Sequence, residues 1–228
     1  MRPLSHCLWG LIAIPGMAVI IALASLETGG TTPSSVVAQE NTSPSDIANP
    51  KSHFRIEHPA ELTDADAESI YRRILDRMIA EYQLSGNPYV RPYRTWRRYN
   101  SAPYLSAAHG NRYLNNYANT RARPYGQFER GGPMPAGAVI VKDSFTVTEK
   151  GDVYTGALSI MEKMQPGFNL NSGDWRFTMI MPDGSVLGTT GGDDSERVEF
   201  CASCHRKAHR DYLLFMPQHY RVQSSDTQ

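Results

Sequence analysis

Hydrophobic and polar positions along this chain fall into four regimes, and each predicts a different kind of element. From Leu8 to Leu26 the residues are continuously apolar, broken only by small residues and Pro15. Downstream, Ile70, Ile74, Leu75, Met78, Ile79 and Tyr82 recur at helical spacing. Thr63 with Asp66 three residues on resembles a capping box, Leu62 holds the staple position, and Gly86 with Pro88 closes the segment. A helix over 63–85 that packs on a sheet is the prediction. Beyond Gly137 the pattern becomes β-branched and apolar, at Ala138–Val147, Tyr154–Met164 and Trp175–Met181. Pro182-Asp183-Gly184-Ser185 turns the chain into Val186–Thr189, which makes an antiparallel meander. Gly191-Gly192 ends it, and Asp193 with Glu196 is placed to cap a last helix. In that helix Val198, Cys201, His205, Ala208 and Tyr212 share the apolar side, and Pro217 stops it. The predicted class is α+β, a mainly antiparallel sheet with an N-terminal and a C-terminal helix.

Composition refines this outline at the N-terminus. Arg2 and His6 precede the apolar run, and a Gly/Thr/Ser/Pro-rich stretch follows it to about Pro50, the layout of a secretory signal. Val36-Val37-Ala38 or Ala22-Leu23-Ala24 offers a cleavage site, and Cys7 would leave with the leader. The run is also just long enough to span a bilayer, so an uncleaved inner-membrane anchor is the alternative. The resulting division is 1–38 signal or anchor, 39–52 linker and 53–228 one domain, with a periplasmic location expected. The chain has 228 residues, and 23 Lys and Arg balance 23 Asp and Glu. That balance gives no reason to expect a nucleic-acid partner. The Tyr/Arg-rich segment from Asn87 to Arg130 is expected to be irregular, with guanidinium groups packed on rings rather than stacked on bases.

The densest chemistry lies in Cys201-Ala202-Ser203-Cys204-His205. Two thiols one helical turn apart can add to the two vinyl groups of a haem, and the adjacent imidazole can then ligate its iron. One covalently bound haem c is therefore the expected cofactor, with Cys201, Cys204 and His205 as its attachment and iron-binding residues. A thioredoxin-like dithiol would need a βαβ context, which the strand-rich sequence after Gly110 lacks. Zinc is the remaining alternative, since His209 follows His205 at i, i+4. One continuous helix cannot wrap those neighbours around a tetrahedral ion.

The position of the pentapeptide narrows the function. Met216, the only methionine after His205, would project ~16 Å along a continuing helix and could not reach the opposite haem face. A sixth ligand would have to come from the sheet, with Met161, Met164, Met179, Met181 and Lys142 as the candidates. A vacant or weakly filled distal position suits the binding or redox transformation of a small nitrogenous or diatomic ligand. A filled one suits a periplasmic electron carrier, the alternative function.

From about His109 to Arg221 the residues resemble the cytochrome P-460 and cytochrome c′-β group. The resemblance rests on Gly137-Ala138-Val139-Ile140-Val141-Lys142, Gly173-Asp174-Trp175, the C-x-x-C-H pentapeptide and Asp211-Tyr212. It implies a sheet packed against haem, a homodimer, and either hydroxylamine oxidation or binding of nitric oxide or carbon monoxide. A soluble electron donor or acceptor would serve the redox reading. Lys142 matches a lysine that bonds to the porphyrin edge in some members, and in a strand it shares a face with Ile140 and Ser144. A distal glutamate of the hydroxylamine-oxidising type aligns with Ser159, a poor general base, while Glu162 points to the other face. Ser159 is thus the candidate distal residue, and enzymatic turnover of hydroxylamine is left open.

Overall fold

The computed structural model describes residues 49–222, so the apolar run 8–26, its cleavage sites and Cys7 lie outside the described residues. Among the described residues, no helix is long and apolar enough to cross a membrane.

A single antiparallel sheet organises the molecule. Its strands are β1 (Arg97–Arg98), β2 (Tyr104–Ser106), β3 (Arg112–Ala118), β4 (Val139–Val147), β5 (Val153–Thr155), β6 (Leu158–Lys163), β7 (Trp175–Ile180) and β8 (Val186–Thr189). The spatial order is β1-β3-β4-β6-β7-β8, with β2 also on β3 and β5 also on β4. Among the described residues the α-helices are α1 (Asp64–Gln83), α2 (Val90–Tyr93) and α3 (Glu199–His205). The architecture is α+β, as expected.

Side-chain alternation divides the sheet into two cores. On one face Tyr113, Tyr117, Val139, Val141, Phe145, Leu158, Ile160 and Ile180 meet α1 through Tyr71, Ile74, Met78 and Tyr82. On the other, Leu114, Ala118, Ile140, Met161, Trp175 and Phe177 meet Tyr125, Phe128, Ala202, Leu213 and Met216. Helix α1 begins as its sequence predicts. Thr63 Oγ1 accepts from the Asp66 amide at 3.2 Å and donates to the Asp66 carboxylate at 2.7 Å.

Three elements depart from expectation. The segment taken as irregular holds β3, whose centre is buried although it reads Asn115-Asn116. Asn has low strand propensity, and here hydrogen bonds replace apolar packing. Asn115 Nδ2 donates to Asp143 at 3.1 Å, while Asn116 accepts from Tyr104 Oη and donates to Tyr125 Oη. The run 154–164 is two strands, because its ladder with β4 shifts by one residue between Thr155 and Ser159, and Gly156 at that irregularity has no room for a side chain. A Cβ there would lie 2.2 Å from Ser144 Oγ.

The last helix is the third departure. It is shorter than predicted at both ends: a 3₁₀ turn over Ser195–Val198 precedes Glu199, and the helix stops at His205. Asp194 occupies the cap position of that turn without a side-chain bond, so the Asp193 and Glu196 cap is not formed. Asp211 and Tyr212 have φ of 41° and 60°, which no helix accommodates. Met216 is therefore not a helix-borne side chain at long range. It is buried in the second core.

Candidate haem site

One row of cross-strand partners runs over the second face of the sheet: Asn116, Lys142, Ser159 and Met179 pair in register across β3, β4, β6 and β7. Strand alternation puts the next row, Ile140, Met161 and Phe177, on the same face. Helix α3 packs over this face, with Cys201 partly buried and Ala202 in its core. Between them lies a cavity of about 610 Å³. Cys201, Cys204, His205, Lys142, Ser159, Met161 and Phe177 all border it. Cys201, Cys204, His205, Lys142 and Ser159, the attachment, ligand and distal candidates read from the sequence, are thus brought to one place. Glu162 is excluded as its strand position requires, accepting instead from Tyr89 Oη at 2.6 Å.

His205 is 7 % exposed, and its Nδ1 is hydrogen-bonded to the Tyr212 carbonyl at 2.8 Å. Since a carbonyl only accepts, that bond fixes Nδ1 as the protonated nitrogen and leaves Nε2 with its lone pair. Burial pushes the imidazole pKa down to about 3, so the ring is neutral, the ligating form. Phe177 flanks it with ring centroids 5.3 Å apart. The Cys201 thiol is pushed up to about 12 by burial, whereas Cys204 is exposed.

Lys142 is the buried cation of the site, 6 % exposed, which excludes the ordinary arrangement of a lysine extended to solvent. Burial pulls its amine down to about 8, opposed by the Cys204 and Cys201 sulfurs. Alkylation of both sulfurs would remove that opposition and favour the neutral amine further.

Two imidazoles escaped sequence reasoning. His109, in the 3₁₀ turn Ala107–His109, and His53, ahead of α1, border the same cavity with ring centroids 4.9 Å apart. His109 Nδ1 is 3.1 Å from Ser106 Oγ. Burial is the main cause that lowers both, His53 to about 4, with Arg112 and Lys142 adding to it for His53 and Lys142 foremost for His109. His53 and its neighbours Lys51 and Ser52 belong to the stretch expected as linker or its boundary, yet they form part of the wall. The segment is docked by Ile56 N to Gly110 O at 3.0 Å and Arg112 Nη1 to Phe54 O at 2.6 Å. A lone histidine in sequence carries no spacing signal, so only the tertiary contact reveals the pair.

Of the sheet methionines, Met161 borders the cavity, whereas Met179 packs with Val198 and Phe200 in a third cluster. Among the described residues the cavity wall includes no Asp or Glu. No group of three or more His, Cys, Asp or Glu among the described residues is placed to hold a metal ion, and His209 lies beyond the end of α3. That geometry removes the zinc arrangement. A planar macrocycle with a single protein iron ligand is compatible with it. Two free thiols, one oriented neutral imidazole and walls of Phe177, Phe200, Met161, Leu214 and Phe215 fit a haem in donor chemistry and polarity.

No curated protein matches this chain. The family model for cytochrome P460 matches residues 91–216, reaching further toward the N-terminus than the motifs alone and leaving α1 outside. The match takes in β1 to β8, Lys142, Ser159 and the whole pentapeptide, more than half of the chain. The chain therefore belongs to the cytochrome P460 family, whose members carry a covalently attached c-type haem.

Proposed function

We propose that this protein is an exported, periplasmic monohaem cytochrome that binds and redox-transforms small nitrogen species such as hydroxylamine or nitric oxide. The observation that carries the reading is the shared cavity in which the register pair Lys142 and Ser159 faces the same space as Cys201, Cys204 and His205. Cys201 and Cys204 would hold the haem as thioethers, and His205 would ligate its iron through Nε2, the nitrogen left by the Tyr212 bond. The haem supplies reversible one-electron chemistry and a coordination position for the ligand. Phe177, Phe200 and Phe215 keep water from that space, and Ser159 offers a hydroxyl to a bound ligand. Without a carboxylate in the wall, the His109 and His53 imidazoles and the neutral form of the Lys142 amine are the groups that can take up a proton, and burial makes both imidazoles weaker bases than a free histidine.

Lys142 holds a buried amine that titrates near neutral pH, and the neutral form can make a carbon–nitrogen bond. A cross-link replaces one N–H and one C–H hydrogen and needs a two-electron oxidant, for which peroxide serves in the test. The expected product is a holo-protein lighter by the two hydrogens, absent in Lys142→Met.

Met161 supports a second reading, an electron carrier whose sixth ligand comes from the sheet. The two readings separate in the ferrous protein made with haem-attachment machinery. Uptake of carbon monoxide or nitric oxide, and turnover of hydroxylamine with an electron acceptor, is the expected outcome. A six-coordinate low-spin spectrum that resists both gases would sink the first reading. A second copy of the chain and a soluble electron donor or acceptor are the proposed partners, as the resemblance read from the sequence implies. An uncleaved leader would add a membrane tether.

A further inference from the structure

The carbonyl that contacts His205 belongs to a residue with unusual backbone. Asp211 and Tyr212 are consecutive non-glycine residues with positive φ, a conformation that persists only where the surroundings enforce it. Here every side of the corner is fixed. Trp175, fully buried on β7, donates from Nε1 to the Asp211 carbonyl at 2.9 Å. Lys163, at the end of β6, donates to Asp211 Oδ1 at 2.5 Å and to the Gly173 carbonyl at 2.8 Å. The Met134 amide donates to Asp211 Oδ2 at 2.6 Å. The Tyr212 ring lies over Gly173, where a Cβ would come within 2.2 Å of Tyr212 Cε2. Lys163 and Asp211 are both mostly buried, so the pair is poorly screened by solvent.

We infer that Asp211, Lys163 and Trp175 form a clamp that holds the Tyr212 carbonyl on Nδ1 of His205 and thereby sets how strongly that imidazole donates to iron. These are positioning residues, acting through the backbone on the ligand. A firmly held acceptor draws the Nδ1 proton toward itself and makes Nε2 more basic, which favours the ferric state and lowers the potential. Partners of this kind typically alter metal-site equilibria 10–100-fold when removed. The inference rests on His205 being the iron ligand.

The test uses the full-length holo-protein with Asp211→Asn, Lys163→Met and, as control, Glu129→Gln. Glu129, in the segment Thr120–Arg130, pairs with Arg221 at 2.7 Å, a contact separate from the hydrogen bonds of the clamp. Resonance Raman of the ferrous protein reads the iron–histidine stretch, and a redox titration reads the potential. Both clamp variants should lower the stretching frequency and shift the one-electron equilibrium about tenfold toward ferrous, ~59 mV. The control should leave both unchanged while lowering thermal stability slightly. Should Asp211→Asn fail to load haem, Lys163→Met decides, because it keeps the Met134 bond to Asp211. Haem-loaded clamp variants with wild-type frequency and potential overturn the inference. Absence of any iron–histidine mode in a wild type whose ferrous haem is five-coordinate instead overturns the assignment of His205, and in a six-coordinate wild type the potential decides.

Discussion

Lys142 and Asp143 are neighbours in sequence that strand alternation sends to opposite layers, the amine toward the cavity and the carboxylate under α1. Asp143 is fully buried and accepts from Tyr71 Oη at 2.6 Å, Tyr93 Oη at 3.1 Å and Asn115 Nδ2 at 3.1 Å. Burial outweighs those donors and raises its pKa from 3.8 to about 6. The folded state then holds the proton more tightly than the unfolded one, so the stability it contributes is complete below about pH 4 and is lost as pH rises through 6. Asp143→Asn should be less stable by about 1–3 kcal/mol at pH 4, since donors lose acceptor oxygens. The gap should narrow toward pH 6.5, because only the wild type carries the ionisation penalty. Urea unfolding across that range measures it, and a gap that widens with pH would show the carboxylate to be stabilised as an anion. Period-two alternation made the face of Lys142 readable in advance. The role of Asp143 was not, because a single carboxylate between Val141 and Phe145 on its strand face has no pattern until its three donors arrive from distant segments.

At the scale of elements, legibility followed the source of each element's stability. Helix α1 has a strong local signal, both cap and apolar stripe, and it forms as read. Strand β3 is held by side-chain hydrogen bonds that Asn115 and Asn116 make across the sheet, so its propensity argues against the state it adopts. Helix α3 ends early because the Asp211 corner is fixed by Trp175 and Lys163, tertiary partners that a helical repeat cannot report. If packing rather than local signal dominates α1, two substitutions separate the terms. Thr63→Ala should cost about 1 kcal/mol through the lost cap. Met78→Ala, at a position with no exposure, should cost about 2–5 kcal/mol through the cavity it leaves. Equal costs in chemical denaturation would contradict that ranking.

For the whole molecule, the sheet is a partition between two cores, and the cavity lies on one side of it. Its wall is assembled from within residues 51–53, 104–109 and 200–217 together with Lys142, Ser159, Met161 and Phe177, so the site exists only once the chain has folded. The pentapeptide, Lys142 and Ser159 were legible because each sits in a recognisable pattern, whereas His53 and His109 become neighbours only through the docked N-terminal segment. The unequal surroundings of the two thiols carry a consequence for biogenesis. In the folded apo-protein Cys201 is packed between two clusters and burial suppresses its thiolate, while Cys204 stands exposed. Reduced haem offered to folded apo-protein should bond at Cys204 alone, and both bonds should form when the chain is offered unfolded, as the number of thiols left for iodoacetamide to alkylate in the acid-denatured product would show by intact mass. Cofactor attachment would then be a step that precedes closure of the sheet, making the order of maturation a property written into the burial of one cysteine.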